Sequence, residues 1–143
     1  MPLENLRSPY AKVGAICYFG RMLDKIRLHS AGKLPADYIP NLGSGFDERC
    51  VNFLDVNYEV LVNRVIEGDP DESDEEILDW CFRSGQRPSL EQIEVWNEFM
   101  RKRGWNDDGS ARLKQRLAES GFADRTDIHT FFDYIDLDEQ RIS

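Results

Sequence analysis

Arg21-Met22-Leu23-Asp24-Lys25-Ile26-Arg27-Leu28-His29-Ser30-Ala31-Gly32-Lys33-Leu34 is the stretch whose reading decides the fold. On a helical wheel Ile16, Phe19, Met22, Leu23, Ile26 and Ser30 share one broad face, and Arg21, Asp24 and Lys25 lie opposite. Tyr18 and His29 sit at the margin. Leu28 falls among the charged positions, so the second face is also expected to be covered. Gly32 marks the helix end, where a left-handed residue closes the last turn.

Arg21, Lys25 and His29 recur every fourth residue and form one cationic stripe. Like charges at this spacing cost an isolated helix about 0.2–0.5 kcal/mol per pair. A charged face that is also covered needs partners, because an unpaired buried charge is expensive. Something negative should therefore lie against the stripe. One answer is carboxylates of the same chain, with Glu94, Glu98, Asp133, Asp136 and Glu139 as the candidates. The other is a bound anion, held by the planar fork of Arg21, the point charge of Lys25 and the imidazole of His29, with Asp24 orienting Arg21 or Arg27. Carboxylates on both Arg21 and Lys25 in a closed interior would assign the stripe to structure. A cleft open to solvent would assign it to a ligand.

The same punctuation runs outward along the chain. Ser44-x-x-Asp47, Ser73-x-x-Glu76 and Ser89-x-x-Gln92 read as capping boxes, and Asn57 and Thr126 as simple N-caps. Gly68, Gly85, Gly104 and Gly121 read as further helix stops. Between these marks, apolar residues repeat at helical intervals over 46–54, 58–66, 77–82, 90–100, 113–117 and 128–135. With the basic helix this predicts an all-α fold of about seven short to medium helices in a single domain, 1–143. No stretch alternates at period two, so no sheet is expected. Residues 1–14 and 35–45 read as irregular.

The chain has 143 residues and a net charge of −9, unevenly placed. Residues 1–33 hold six basic and two acidic side chains, whereas 68–143 hold ten basic and nineteen acidic ones. The basic start is thus expected either to dock on the acidic C-terminal half or to form the one electropositive site. The acidic balance argues against nucleic acid as a partner. No apolar run reaches the ~20 residues of a membrane span, which argues against a membrane partner. Met1-Pro2-Leu3-Glu4-Asn5 has no leader-like pattern. Cys17, Cys50 and Cys81 are odd in number and lack Cys-x-x-Cys spacing, so reduced, packed thiols are expected.

Other motifs are weak. The acidic run 69–76 lacks the glycine and distal glutamate of a calcium loop and reads as a solvated approach to a helix N-terminus. Leu42-Gly43-Ser44-Gly45 lacks the Lys-Ser/Thr of a phosphate loop, and its glycines read as a turn. His29 and His129 have no ligand partners at metal spacing, so no metal and no cofactor is expected. Trp80, Trp96 and Trp105 read as core or half-buried anchors. The segment 131–141 is expected to pack through Phe131, Phe132 and Ile135 and present acids to the basic helix.

Three segments together carry a family resemblance: Leu6-Arg7-Ser8-Pro9, the basic helix from Arg21 to Leu34, and the ending Phe132-Asp133-Tyr134-Ile135-Asp136-Leu137-Asp138-Glu139-Gln140-Arg141. They resemble domain-of-unknown-function family 5069, made of small bacterial proteins, over nearly the whole chain. The resemblance implies one intact domain in a bacterial cytoplasm and transfers no catalytic residue. The expected function is a cytoplasmic binding or interaction protein without catalysis, with a protein partner. The alternative is a small-anion-binding protein or enzyme, for phosphate, nucleotide or carboxylate, built on Arg21, Lys25, His29 and Asp24.

Overall fold

A computed structural model describes residues 3–143; Met1 and Pro2, the start of the first irregular stretch, lie outside the described residues. The apolar spacing becomes seven α-helices: α1 Phe19–Ser30, α2 Phe46–Leu54, α3 Tyr58–Glu67, α4 Asp74–Ser84, α5 Leu90–Lys102, α6 Ser110–Glu119 and α7 Phe131–Asp138. A 3-10 helix, Ala36–Asn41, occupies the segment read as irregular.

The expectation of no sheet is corrected. Lys12–Val13 (β1) and Ile16–Cys17 (β2) pair antiparallel, with Lys12 opposite Cys17 and Val13 opposite Ile16. Two residues per strand are too few to display alternation. The pairing is held from outside: Asn97 on α5 accepts from the Cys17 amide and donates to the Ala15 carbonyl.

Ser73 and Ser89 form the two reciprocal capping boxes, and Asn57 caps α3. Two capping expectations are corrected. Ser44 does not cap α2, whose N-cap is Gly45, because the Asp47 carboxylate is engaged elsewhere. Thr130, not Thr126, caps α7 by accepting from the Asp133 amide. Gly68 and Gly85 close their helices without a left-handed backbone. Gly85 is there for close approach: a Cβ would run into the Leu54 carbonyl oxygen.

α1 runs through the middle of the packing. Its Phe19, Met22, Leu23 and Ile26 meet Cys50 and Leu54 of α2, Leu61 of α3, Cys81 of α4, Met100 of α5 and Phe132 of α7 in one core. Leu113, Leu117, Ile128 and Leu137 form a second cluster under α6 and α7. Leu28, the apolar residue on the charged face, packs with Leu6 and Leu34 in a third. Both faces of α1 are therefore covered.

The three cysteines are buried and unbonded. Trp96 stacks on Phe53 at 4.7 Å and donates its indole N–H to the Cys17 carbonyl. Trp105 departs from the anchor reading and is exposed. Among the described residues, no helix is long and apolar enough to cross a membrane.

Candidate functional site

The stripe on α1 is answered by carboxylates of the same chain. Arg21 donates Nη1 to Glu139 Oε1 at 2.9 Å and Nη2 to Oε2 at 2.7 Å, a bidentate pair. Glu139 also accepts from the Tyr38 hydroxyl at 2.8 Å and from Arg141 Nη1 at 2.6 Å. Lys25 Nζ lies 3.0 Å from Asp47 Oδ1 and 3.3 Å from the Tyr18 hydroxyl, which itself donates to Asp47 at 2.6 Å. Gly43 N–H completes the set on Asp47 Oδ2. All four charged partners are buried, at 4% exposure for Arg21, 3% for Glu139, 5% for Lys25 and 0% for Asp47.

These environments move the titrations in opposite senses. Burial raises the Glu139 carboxyl, but Arg21, Tyr38 and Arg141 outweigh it and leave it below the usual carboxylate range. Burial lowers the Arg21 guanidinium, and Glu139 more than restores it. For Lys25 burial wins. Its ammonium is lowered despite Asp47, with the charge of Arg21 acting in the same direction. Burial and Asp47 push the Tyr18 phenol well up.

Tyr18 reaches this position through a left-handed backbone, φ 73°, as the residue before α1. Such a conformation costs a non-glycine residue about 1–3 kcal/mol and survives only where surroundings hold it. Here the hold is the bond to Asp47 and the packing of its ring on Phe46 and Phe132.

The pairs are not sealed inside. Arg21, Lys25 and Glu139 form the floor of an open cleft of about 530 Å³. The 3-10 helix contributes Asp37 and Tyr38 to one wall, and the start of α2 contributes Phe46 and Arg49. Arg103 at the end of α5, Arg112 and Arg116 of α6, and Phe131, Tyr134 and Asp138 of α7 also line it. The turn between α5 and α6 sets these walls. Asp107 accepts from the Gly104 and Gly109 amides, and Gly104, at φ 101°, has the Phe131 ring 3.0 Å from where a Cβ would stand. A side chain there would push α7 away from α5.

Six cationic side chains line the cleft against three acidic ones. Arg103 is paired with Asp107 and Asp108. Arg112 and Arg116 stand one helical turn apart, so they share a face of α6. Among the described residues, Arg49, Arg112 and Arg116 have no carboxylate partner; Arg49 rests over the Phe99 ring at 5.1 Å. In a chain of net charge −9, this is a local concentration of positive charge in a concave place.

Of the four residues expected to bind an anion, Arg21 and Lys25 come together at the cleft. His29 is exposed and is not part of its lining. Asp24 turns the other way and accepts from Arg7 Nε at 2.9 Å and Nη2 at 3.0 Å. Of the five carboxylates proposed as neutralisers, Glu139 meets Arg21. Asp136 binds Ser8 and Arg141, Asp133 binds Tyr10, and Glu98 pairs within α5. The basic N-terminal segment does dock on acidic residues of the C-terminal half, including Asp74, which takes both Arg7 and Arg27.

The model of the family described as Domain of unknown function (DUF5069) matches residues 3–141. The chain belongs to that family. The match takes in every element of this DUF5069 fold, including all the walls of the cleft. A comparison with curated proteins gives no match. Asp47 escaped the sequence reading because its Ser44 spacing imitated a capping box. Arg49, Arg112 and Arg116 escaped because each alone reads as a solvated surface charge. A weak signal existed in Arg112 and Arg116, two like charges at i,i+4 on a helix with no acid in its first turn.

Proposed function

We propose that this DUF5069 protein is a cytoplasmic, single-domain binding protein for a small organic anion carrying a phosphate or carboxylate on an apolar or aromatic body. The observation that carries the reading is the convergence of Arg49, Arg112 and Arg116, none paired with a carboxylate among the described residues, on one cleft. Guanidinium groups match the planar, bidentate geometry of carboxylate and phosphate oxygens. Phe46, Phe131, Tyr38 and Tyr134 supply flat surface beside the charge, and about 530 Å³ falls in the range of small-molecule sites.

Arg21 and Lys25 have a different role in this reading from the one the stripe alone would give them. Glu139 and Asp47 already neutralise them, so they form a rigid polar floor and the rim arginines take the anion. A concave, cationic, aromatic cleft favours a small ligand over a protein partner. Buried, unbonded cysteines support a reducing compartment.

The test is a thermal-shift screen of phosphates, nucleotides and carboxylates. A ligand at one hundred times its dissociation constant stabilises by about 2.7 kcal/mol. For a chain of this length that is a rise of about 9 °C. The rise should shrink with added salt and be lost in Arg112→Ala/Arg116→Ala. A panel without any shift, or a shift that survives that double substitution, overturns the reading.

A further inference from the structure

We infer that Lys25 is a reactive amine, placed to condense with the carbonyl group of an anionic aldehyde or ketone held in the cleft. The inference rests on the anion reading of the cleft and goes beyond it, since it adds covalent chemistry at the floor. Lys25 belongs to the cleft lining although the residue is almost fully buried. Its ammonium faces an acceptor at 3.0 Å, Asp47 Oδ1, and a hydroxyl at 3.3 Å, Tyr18, that is itself bonded to the same carboxylate oxygen. Nucleophile, proton acceptor and a hydroxyl able to relay a proton thus lie in one hydrogen-bonded group. Burial lowers the Lys25 titration from its ordinary value, which agrees with this placement.

The step balances without an oxidant or reductant. Asp47 takes one proton from the Lys25 ammonium. The free amine pair attacks the carbonyl carbon, the C=O π pair moves onto oxygen, and a proton passes from nitrogen to that oxygen to give the carbinolamine. Asp47 then returns its proton to the hydroxyl, the C–O bond breaks, and water leaves. The net change is ammonium plus carbonyl to protonated imine plus water. Nitrogen carries one positive charge at the start and at the end, and Asp47 is protonated while nitrogen is neutral, so no buried carboxylate is stranded. The arginines of the rim hold the ligand's anionic group, and the aromatic walls hold its body. The substrate class is therefore a carbonyl compound bearing phosphate or carboxylate.

Pyridoxal 5′-phosphate is a fitting probe, being an aldehyde with a phosphate and a flat ring. The full chain is incubated with it, reduced with borohydride, and mapped by peptide mass spectrometry. The chain has five lysines, of which Lys12, Lys33, Lys102 and Lys114 are exposed and serve as internal controls. Labelling of Lys25 should exceed that of each control by about tenfold or more. Excess inorganic pyrophosphate should suppress it, and an imine absorbance band should appear before reduction. Lys25→Arg keeps the cation facing Asp47, cannot condense, and should lose the band. Labelling spread over the four exposed lysines with Lys25 unmodified overturns the inference; if pyrophosphate still binds saturably, the cleft reading survives alone. Lys25 labelled by the uncharged aldehyde propanal, in a protein that does not bind pyrophosphate, supports the reactive amine and overturns the anion cleft.

Discussion

Glu139→Gln is the substitution that most sharply probes the neutralised stripe. The Glu139 carboxylate is shared by Arg21, Arg141 and Tyr38, and Arg21 has 4% exposure. Glutamine keeps the shape and removes the charge. One amide oxygen can still accept, but the amide nitrogen can only donate, and it would face a guanidinium that also only donates. Arg141 retains the Asp136 carboxylate at 3.0 Å, whereas among the described residues Arg21 keeps no charged partner, only that amide oxygen and the Arg7 carbonyl at 3.1 Å. Leaving one member of a buried pair unpartnered costs about 3–5 kcal/mol. A chain of 143 residues has an unfolding entropy near 0.3 kcal/mol/K, so the melting temperature should fall by about 10–17 °C. Calorimetry or circular dichroism at neutral pH reads this directly. Arg21→Met in the same chain removes the stranded charge and should recover more than half of the loss, giving a coupling of about 2 kcal/mol or more in the double-mutant cycle. A melting temperature within about 2 °C of wild type in Glu139→Gln would refute the reasoning, because it would mean that Arg21 gains nothing from its carboxylate.

Further outcomes follow from the same contacts. Glu139 titrates lower in the folded chain than its ordinary value near 4.3, so the stability it contributes is complete above that pH and is lost as pH falls through the folded value. Urea melts from neutral pH down to about pH 3 should therefore show the gap between wild type and Glu139→Gln closing on the acid side; a constant gap would contradict it. Burial pushes the Cys17 thiol up to about 11 and the Cys81 thiol up to about 12, and raises Cys50 well above its usual value. All three should resist a disulfide reagent at pH 8 in the native protein and react in urea; rapid native labelling would contradict their burial. Ser73→Ala and Ser89→Ala each remove one side of a reciprocal capping box and should each cost about 1 kcal/mol, additively because they cap different helices. Equal melting temperatures for the double variant and wild type would show that the caps contribute nothing.

Local signals and distant ones fared differently in the sequence. α4 and α5 were legible because a capping box is complete within four residues and, among the described residues, Ser73 and Ser89 have no competing partner. Ser44 and Asp47 had the same spacing, but Asp47 is taken by Tyr18 and Lys25 from α1, and nothing near residue 47 reveals that. Leu28 correctly announced a covered second face, because an apolar residue among charges is informative by itself. The hairpin Lys12–Cys17 was illegible because two-residue strands have no period to read, and Asn97 holds it from eighty residues away. For the cleft, the sequence led to Arg21 and Lys25, which turn out to be paired. Arg49, Arg112 and Arg116 come from α2 and α6, and only the packing of α1, α2, α6 and α7 brings them to one place. Charge balance between the two ends of the chain called for an acid against the stripe and put Glu139 among five candidates, but nothing in the sequence singled it out.

Isothermal titration of inorganic pyrophosphate at low ionic strength tests the division of labour between the paired floor and the free rim most directly. The set is wild type, Arg49→Ala, Arg112→Ala/Arg116→Ala, and the control Arg87→Ala, whose guanidinium rests over Phe82 outside the cleft. Each lost charge-assisted contact is worth about 1.5–3 kcal/mol, so removing two should weaken binding by two orders of magnitude or more, about the limit of detection. Saturable binding is expected in wild type and in Arg87→Ala, weakening in Arg49→Ala, and loss in the α6 double variant with its melting temperature preserved. Binding that is absent from wild type, or equal in all four proteins, would contradict it.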